Sequence, residues 1–424
     1  MPSHPHLWFP FTSVKDAPDP LKVVSGRGAR LTLADGRELI DCISSWWVNL
    51  HGHAHPQIVE AIAQQAATLE HVIFAGFSHE PAERLAMELC EILPEGLTRV
   101  FFSDNGSTAV EVALKMALQY WHNLDQPRSR ILAFDGAYHG DTFGAMSVGE
   151  RSLFNAPFEK LLFSVEFLPY PETWWGDETV AEKEAAAIAA VEQALAAGDV
   201  AAVILEPLVQ GAGGMRMARP QFLQQLAARV QAAGSLLIAD EVMTGFGRTG
   251  AWFACQRAGI QPDLICLSKG LTGGFLPLSI TVATEAIYDT FCSGNPDHTF
   301  YHGHSYTANP LGCAAAIASL DLLRKSEAIV QGLEAAHRPG LELLAQHPKV
   351  MKPRLTGGVA ACDLVSDRGG YLDPIGLRVR QAAIARGLLL RPLGNVLYVL
   401  PPFCLEAAEL QEIYIMISDL LNEI

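Results

Sequence analysis

The chain has 424 residues, of which 50% are hydrophobic and 18% are charged, and 30 basic against 46 acidic residues give a net charge of −16. This length allows two or three domains with a large core, and the apolar content excludes a disordered protein. The acidic balance argues against binding to nucleic acid or an anionic membrane, which both need fixed positive charge. No apolar run is long enough to span a bilayer, and the N-terminus lacks the regions of a signal peptide.

The eight cysteines stand singly, and no two of them form a Cys-x-x-Cys pair. Isolated thiols in apolar segments are usually small buried side chains rather than a disulfide framework. A protein of the reducing cytoplasm is therefore expected.

The first fifty residues predict a strand pair around the turn Ala34–Arg37. Further along, apolar runs alternate with amphipathic stretches, which favours an α/β fold with a mostly parallel sheet covered on both faces. The predicted strands are Val100–Ser103, Ile131–Phe134, Ala201–Glu206, Leu236–Asp240, Leu264–Leu267 and Leu278–Ala283, and the predicted helices are Ser107–His122, Val180–Ala197 and Pro220–Ala233.

After Asn309 the pattern changes to a long helix, Pro310–Arg324, then more helix and short strands near Val359–Leu364 and Leu388–Leu400. This pattern predicts a smaller α+β domain. We expect an N-terminal segment, 1–54, that packs with this small domain, a large cofactor-binding domain, 55–309, and the small domain itself, 310–424.

Two charged residues end neighbouring predicted strands, where ligands bind in parallel sheets. Asp240 would present a partly desolvated carboxylate there, or would simply cap the next element. Lys269 follows the next strand, and burial would lower its pKa and make the amine a nucleophile suited to Schiff-base chemistry. A buried ion pair between Lys269 and Asp240 is the competing interpretation.

A third strand end, Ser103–Thr108, opens a helix whose free N–H groups at Gly106–Thr108 could bind phosphate. The simpler alternative is an ordinary helix start, with Thr108 and Glu111 at the spacing of a capping box. A phosphate site, a carboxylate and an amine at three strand ends together match the needs of pyridoxal phosphate.

Two other patterns suggest different functions. Gly245–Gly250 matches a dinucleotide-binding motif and supports an alternative, a nicotinamide-dependent oxidoreductase. Asp240–Thr244 separates these glycines from the strand, so a loop that is mobile or close to a ligand is favoured. The histidines at 51, 53, 55, 298, 302 and 304 suggest a metal-binding role, but their spacing favours hydrogen-bonding or pocket-lining roles, and we expect no metal.

The motifs together resemble those of the class III, or ω-amino type, pyridoxal-phosphate aminotransferases over nearly the whole chain. They are Asp104–Glu111, Gly136–Asp141, Glu206-Pro207, Ala239–Val242, Gly245–Gly250 and Leu267–Gly270. The resemblance implies the fold type I of pyridoxal-phosphate-dependent transferases, with pyridoxal 5′-phosphate as cofactor and active sites shared across a homodimer.

The resemblance also implies roles for single residues. Lys269 would bind the cofactor covalently and move a proton, Asp240 would pair with the pyridinium nitrogen, and Tyr138 would stack on the ring. The phosphate would be bound by Gly106 and Ser107, together with His304 and Ser305 on a loop expected to come from the neighbouring subunit.

Within the family, the segments His6–Thr12, Ser44–Trp47, Gln210–Met215 and Arg391–Pro402 resemble the branch that makes 7,8-diaminononanoate for biotin biosynthesis. That branch aminates 8-amino-7-oxononanoate with S-adenosyl-L-methionine as donor. Trp46 would line the channel for the methylene chain, and Arg391 would bind the carboxylate. The implied substrate-binding residues are Phe11, Trp46, Trp47, Tyr138, Asp141, Gly303, Arg391 and Tyr398.

Two departures bear on the amino donor. Phe11 stands where the branch usually has tyrosine, and Leu393 stands where it has an aromatic residue. Phe11 keeps a ring that can stack on adenine but lacks a hydroxyl. Lysine therefore stays an alternative donor. An ω-aminotransferase for 4-aminobutyrate or ornithine is an alternative function, against which Arg391 and Trp46 argue.

Overall fold

The computed structural model describes residues 6–13, 15 and 18–424. Residues 1–5, 14, 16 and 17, part of the predicted segment 1–54, lie outside the described residues. The strands are β1 Val23–Arg27, β2 Arg30–Leu33, β3 Glu38–Asp41, β4 Leu97–Ser103, β5 Arg130–Phe134, β6 Glu166–Leu168, β7 Val200–Leu205, β8 Val209–Gln210, β9 Arg216–Met217, β10 Leu236–Asp240, β11 Leu264–Leu267, β12 Ser279–Thr284, β13 Val350–Thr356, β14 Val359–Leu364, β15 Leu388–Leu389 and β16 Val396–Val399.

The helices are α1 Ser44–Trp47, α2 Pro56–Thr68, α3 Glu80–Ile92, α4 Gly106–Asn123, α5 Phe143–Val148, α6 Val180–Leu195, α7 Pro220–Ala232, α8 Ala254–Ala258, α9 Glu285–Thr290, α10 Pro310–Lys325, α11 Glu327–Ala345, α12 Ile375–Ala385 and α13 Ala407–Glu423. Short 3-10 helices cover Ala156–Leu161, Lys269–Thr272 and Pro296–His298. Among the residues described, no helix is both long and apolar enough to cross a membrane.

The large sheet has seven strands in the order β4-β12-β11-β10-β7-β5-β6. Only β12 runs against its neighbours, which confirms the predicted mostly parallel α/β sheet. Its central strands β7, β10 and β11 are wholly buried, as continuous apolar runs require when helices cover both faces. All six predicted strands are present, and the prediction missed only the three-residue edge strand β6 within this sheet.

Five parallel strands end at the same edge of this sheet. Gly106 follows β4, Tyr138 follows β5, Glu206 follows β7, Asp240 ends β10, and Lys269 follows β11. Because side chains beyond the carboxyl ends of parallel strands meet in one crevice, this edge forms the candidate active site.

A second sheet joins distant parts of the chain. In the order β1-β2-β3-β15, the late strand β15 runs parallel to β3, with Leu388 opposite Ile40. Gly36 takes a positive φ of 87° in the predicted turn between β2 and β3. This pairing holds the turn after β3 beside the segment after β15. A third sheet, β13-β14-β16, packs with α11, which in turn packs with α13. The domain boundaries stay a prediction.

The start of α4 differs from the predicted capping box. Asn105 is the cap residue, and its side chain accepts a hydrogen bond from the Thr108 N–H at 3.0 Å. Thr108 is the third helical residue, and its hydroxyl accepts a hydrogen bond from the Asn105 N–H at 3.3 Å. The capping box therefore pairs Asn105 with Thr108, and the predicted pairing of Thr108 with Glu111 is wrong. Glu111 instead accepts hydrogen bonds from the N–H groups of Gly144 and Ala145 at the start of α5.

Candidate active site

The crevice at the carboxyl edge of the large sheet contains most of the predicted catalytic and cofactor-binding residues. It brings Lys269, Asp240, Tyr138, Gly106 and Ser107 together. The full lining is Trp47, Asn105, Gly106, Ser107, Tyr138, His139, Gly140, Glu206, Ala212, Asp240, Val242, Met243 and Lys269.

Lys269 lies directly after β11 with a strained, positive φ of 44°. Its ammonium lies 4.7 Å from the centroid of the Trp47 indole. Burial lowers the pKa of Lys269 to about 8, although the nearby carboxylates of Asp240 and Glu206 oppose this shift. A substantial fraction of the amine is therefore neutral near physiological pH and can act as a nucleophile.

Asp240 pairs with a histidine rather than with Lys269. His139 Nδ1 donates to Asp240 Oδ2 at 2.6 Å, and the Val242 N–H donates to Oδ1 at 3.0 Å. Burial alone would lower the pKa of His139, but the hydrogen bond to Asp240 and its charge outweigh burial and raise it. No ion pair joins Lys269 and Asp240 within the part of the chain described, so that competing interpretation is wrong.

The start of α4 offers an anion-binding site. The N–H groups of Gly106 and Ser107 make no hydrogen bond within the described residues, and they lie at the positive end of the helix dipole. A Cβ on Gly140 would lie 2.0 Å from Ser107 Oγ, so only glycine leaves this cradle open. Free donors, a nucleophilic amine and the Asp240 carboxylate in one crevice fit the phosphate, aldehyde and ring nitrogen of pyridoxal phosphate.

Tyr138 forms the rim of this crevice. Its hydroxyl donates to Asp141 Oδ2 at 3.0 Å, and its N–H donates to Glu206 Oε1 at 3.0 Å. Burial raises the pKa of Tyr138, so the phenol stays protonated at physiological pH. The Asp141 N–H in turn donates to Ser107 Oγ at 3.2 Å, which ties the rim to the anion site.

The turn that carries Trp46 and Trp47 is strained and held from two sides. Ser45 and Trp47 have positive φ values of 61° and 66°. Asp41 accepts hydrogen bonds from the Ser45 N–H and hydroxyl, both at 2.9 Å. The buried Arg248 donates to the carbonyls of Trp47 at 3.3 Å and Asn49 at 2.9 Å. These bonds fix both indoles beside the crevice.

The loop Gly245–Gly250 is a buried packing element. Gly247 approaches Phe403 and Val330 so closely that a Cβ would lie 3.1 and 2.9 Å from their side chains. The next helix, α8, begins only at Ala254, so the loop makes no strand-to-helix turn that could receive a pyrophosphate. The dinucleotide-binding alternative is therefore wrong, and Arg248 of this loop supports the turn that carries Trp47.

The predicted acceptor-binding residues lie beside the crevice. The Arg391 guanidinium covers the Trp46 indole at 4.5 Å, and the Phe11 ring lies 5.6 Å from the same indole. Trp47 Nε1 donates to the Tyr398 hydroxyl at 3.0 Å. Arg391 forms no ion pair with a carboxylate in the part of the chain that the structure describes. It is therefore available for the carboxylate of a ligand.

Two aromatic residues that the sequence did not single out extend this cluster. The Phe154 ring lies 6.1 Å from Phe11, and the Tyr371 ring lies 4.8 Å from Phe154, both edge to face. Phe11, Phe154 and Tyr371 are each half-exposed, so the row forms an apolar wall open to solvent. Each is an isolated aromatic residue in a loop, which gives no periodic signal.

Gly303, His304 and Ser305 do not line the crevice of their own chain. They belong to the loop before α10, where Thr307 Oγ1 accepts a hydrogen bond from the His304 N–H at 3.2 Å and His71 Nε2 contacts the Ser305 carbonyl at 2.5 Å. The Ser305 side chain is exposed. Their predicted approach to a cofactor in a neighbouring subunit stays a prediction.

The histidine clusters have structural partners. His53 Nε2 donates to Asp41 at 3.0 Å, and His51 Nε2 lies 3.0 Å from the Ser319 hydroxyl. Over the described ranges, no group of three or more histidine, cysteine, aspartate or glutamate side chains is arranged to hold a metal ion.

The chain belongs to the class III aminotransferases, because the model of the family Aminotransferase class-III matches residues 11–421. It is 94% identical, over the whole of both chains, to the adenosylmethionine-8-amino-7-oxononanoate aminotransferase of Synechococcus elongatus. It is 41% identical to the protein of that name from Geobacter sulfurreducens, over 96% of this chain and 93% of that one.

Solved structures agree with this family. The adenosylmethionine-8-amino-7-oxononanoate aminotransferase of Methanocaldococcus jannaschii aligns with a TM-score of 0.91 and 33% identity, over 99% of this chain and 97% of that one. An amine transaminase from an uncultivated Pseudomonas species, in its PLP-bound form, aligns with a TM-score of 0.93 and 32% identity over the whole of both chains. The fold is that of the pyridoxal-phosphate-dependent transaminases, as the motifs predicted.

Proposed function

We propose that the protein transfers an amino group from S-adenosyl-L-methionine to 8-amino-7-oxononanoate and so makes 7,8-diaminononanoate for biotin biosynthesis. The observation that carries this proposal is the Arg391 guanidinium on the Trp46 indole, which no carboxylate of the described chain pairs with and which lies beside a crevice suited to pyridoxal phosphate. The 94% identity to the Synechococcus elongatus enzyme supports it over the full length.

The crevice residues divide the binding of the cofactor among them. Gly106 and Ser107 would bind its phosphate, Asp240 its ring nitrogen and Lys269 its aldehyde carbon. The cofactor supplies the carbon that carries the amino group and the ring that accepts electrons. The buried His139 holds the Asp240 carboxylate in place through the 2.6 Å hydrogen bond, so that an acidic group stays directed at the ring nitrogen.

Lys269 does the proton chemistry. With a pKa of about 8, its amine can accept a proton from the α-carbon of the donor and return one to the carbon that becomes aminated in the acceptor. Trp47 covers one side of this amine and excludes water from it. The two substrates use the same crevice in turn, so ping-pong kinetics are expected.

Arg391 and Trp46 select the acceptor. The guanidinium can bind a carboxylate through two parallel hydrogen bonds, and the indole offers an apolar surface to the methylene chain. Phe11 would stack on the adenine of the donor. These contacts lie at the rim, so both substrates reach the amine of Lys269 from the same side.

Two further features belong to the proposal. A homodimer is expected, in which Ser305, His304 and Gly303 of each chain approach the crevice of the other, because they do not line their own. The cytoplasm is the proposed location, because eight free cysteines suit a reducing compartment.

A visible-absorbance titration of the cofactor-loaded protein tests the function. We expect S-adenosyl-L-methionine to bleach the band, and 8-amino-7-oxononanoate to restore it. Bleaching by lysine but not by S-adenosyl-L-methionine would leave the proposed acceptor in place and identify lysine as the amino donor. A protein that stays colourless with pyridoxal phosphate, or whose band 8-amino-7-oxononanoate fails to restore, would contradict the proposal.

A further inference from the structure

Glu206 is a buried carboxyl group in the wall of the crevice. It follows β7, is 4% exposed, and lines the crevice together with Lys269 and Tyr138. Its Oε1 accepts a hydrogen bond from the Tyr138 N–H at 3.0 Å, and its Oε2 accepts one from the Gly211 N–H at 2.8 Å. The sequence placed it in a family motif but gave it no role.

No cationic side chain pairs with Glu206 in the described part of the chain, although its neighbours are paired. Asp240 bonds to His139, and Asp141 accepts from the Tyr138 hydroxyl. Burial raises the pKa of Glu206 to about 7, against the charge of His139, so its carboxyl group is close to half ionised at physiological pH. A buried carboxylate without a counter-ion is costly, and a cationic ligand would relieve that cost.

The carboxyl group also has capacity for such a ligand. Each carboxylate oxygen accepts two hydrogen bonds, and each Glu206 oxygen uses one for a backbone N–H. Both backbone donors come from segments of the crevice wall, so the carboxyl group is fixed in position. It is therefore a preformed acceptor next to the amine of Lys269.

We propose that Glu206 binds the ammonium group at C8 of the acceptor, on the carbon next to the C7 carbonyl that is aminated. This inference rests on the proposed function, which supplies 8-amino-7-oxononanoate as the acceptor. The C7 carbon must reach Lys269, and Glu206 shares the crevice wall with Lys269, so the neighbouring ammonium lies within reach of the carboxylate. A charged donor on a carboxylate is one of the stronger hydrogen bonds in proteins.

Glu206 and Arg391 then bind opposite ends of the same molecule. Arg391 takes the terminal carboxylate beside Trp46, while Trp47, the next residue, lines the crevice that contains Glu206. Opposite charges at the two ends fix the direction of the chain and place C7, not another carbon, at the amine. An oxo acid without the amino group would leave Glu206 unpaired and bind less well.

Two ketones and one substitution test this role. The ratio of kcat/KM for 8-amino-7-oxononanoate to that for 7-oxononanoate, which lacks the amine, measures recognition of the ammonium group. In Glu206→Gln we expect this ratio to fall at least about tenfold, as the loss of a charged hydrogen bond predicts, with the change mainly in KM. The amide nitrogen of Gln cannot accept the backbone N–H that one Glu206 oxygen accepts, so any loss from this change should fall equally on both ketones and cancel in the ratio.

Controls separate recognition from structure. The visible spectrum of the loaded variant reports whether the cofactor site is intact, and Glu184→Gln, at a buried glutamate paired with Arg219 outside the crevice, should leave the ratio unchanged. If Glu206→Gln does not fold, Glu206→Asp is the second variant. It keeps the carboxylate on a shorter side chain, farther from the ligand, and should lower the ratio partially.

Each outcome decides the proposal. An unchanged ratio, or equal loss on both ketones, would overturn the role of Glu206 while the proposed function stands. An unmodified protein that binds pyridoxal phosphate but aminates neither ketone would overturn both the function and the role. A fall in the ratio without an equal loss on the two ketones supports both the proposed function and the role of Glu206.

Discussion

The guanidinium of Arg391 lies against the indole of Trp46, with its central carbon 4.5 Å from the ring centroid. This contact joins residues from opposite ends of the chain and contributes about 0.5–2 kcal/mol. It holds a cation at a fixed position while leaving its N–H groups free, because no carboxylate within the described residues pairs with it.

Removal of this cation should abolish recognition of the acceptor carboxylate. For Arg391→Ala we expect kcat/KM for 8-amino-7-oxononanoate to fall by the equivalent of about 2–5 kcal/mol, because the carboxylate is left unpaired. Steady-state kinetics measure this loss. Arg378→Ala, at an exposed arginine on α12, is the control and should be neutral. Equal kinetics for the two variants would refute the assignment.

Loading of the cofactor should follow the titration of Lys269. Its pKa lies at about 8, below the ordinary value of 10.5, so the neutral amine accumulates as the pH rises through 8. Addition of pyridoxal phosphate to cofactor-free protein should accelerate up to about that pH and then level off. Stopped-flow absorbance measures the rate. A rate that keeps rising towards pH 10.5 would indicate an ordinary lysine.

Gly106 keeps the anion site open. A Cβ at this position would lie 2.7 Å from Val242 Cγ1, so Gly106→Ala should displace the start of α4 and weaken retention of the cofactor about tenfold or more. Val242→Ala removes the clashing methyl group, and the double variant should regain most of the affinity. Dialysis against buffer without cofactor measures retention. Failure of this rescue would argue against the steric explanation.

The apolar wall of Phe11, Phe154 and Tyr371 should contribute to the binding of the amino donor. Tyr371→Leu and Phe154→Leu remove edge-to-face contacts around Phe11, each of about 0.5–1.5 kcal/mol. We expect KM for S-adenosyl-L-methionine to rise several-fold with the acceptor KM unchanged. Exposed Tyr288→Leu, on α9, serves as the matched control. A rise of KM for both substrates would show that the wall supports the whole crevice rather than the donor.

Asp41 should make the Trp46 turn sensitive to acid. Burial would raise the pKa of Asp41, but hydrogen bonds from His53 and Ser45 outweigh it and lower the pKa. The stabilisation is therefore complete above the unfolded value of about 4 and is lost as the pH falls through the lower folded value. Asp41→Ala should cost about 1–3 kcal/mol near pH 7 and less in acid, measured by urea unfolding. Asp35→Ala, at an exposed aspartate, should cost little.

The sequence predicted the large sheet well because its strands are continuous apolar runs that end at polar residues. The strand ends at Asp240 and Lys269 were evident for the same reason, since a charged residue directly after a buried strand is conspicuous. The sequence did not show which residue pairs with Asp240. The ion pair of Asp240 is made with His139, a residue about a hundred positions away whose motif gave no sign of it.

Other parts of the site depend on contacts that no local pattern records. Phe154 meets Phe11, and Tyr371 meets Phe154, only because three loops converge. Glu206 differs from an ordinary strand-end carboxylate in having no cationic partner among the residues that the structure describes, which becomes visible once its neighbours are placed. The buried loop around Gly247 resembles a nucleotide site because glycines allow close approach, whether the partner is a phosphate or the side chain of Phe403.

The parallel pairing of β3 with β15 has a consequence for synthesis on the ribosome. All five strand ends of the crevice lie within residues 97–269, so the nascent chain contains them long before Leu388 is made. By contrast, the contact between Trp46 and Arg391 cannot form until Arg391 has been synthesised, hundreds of residues after Trp46. A chain arrested before that point would contain Lys269 but not Arg391, so the proposed selectivity for the acceptor would be the last property to form.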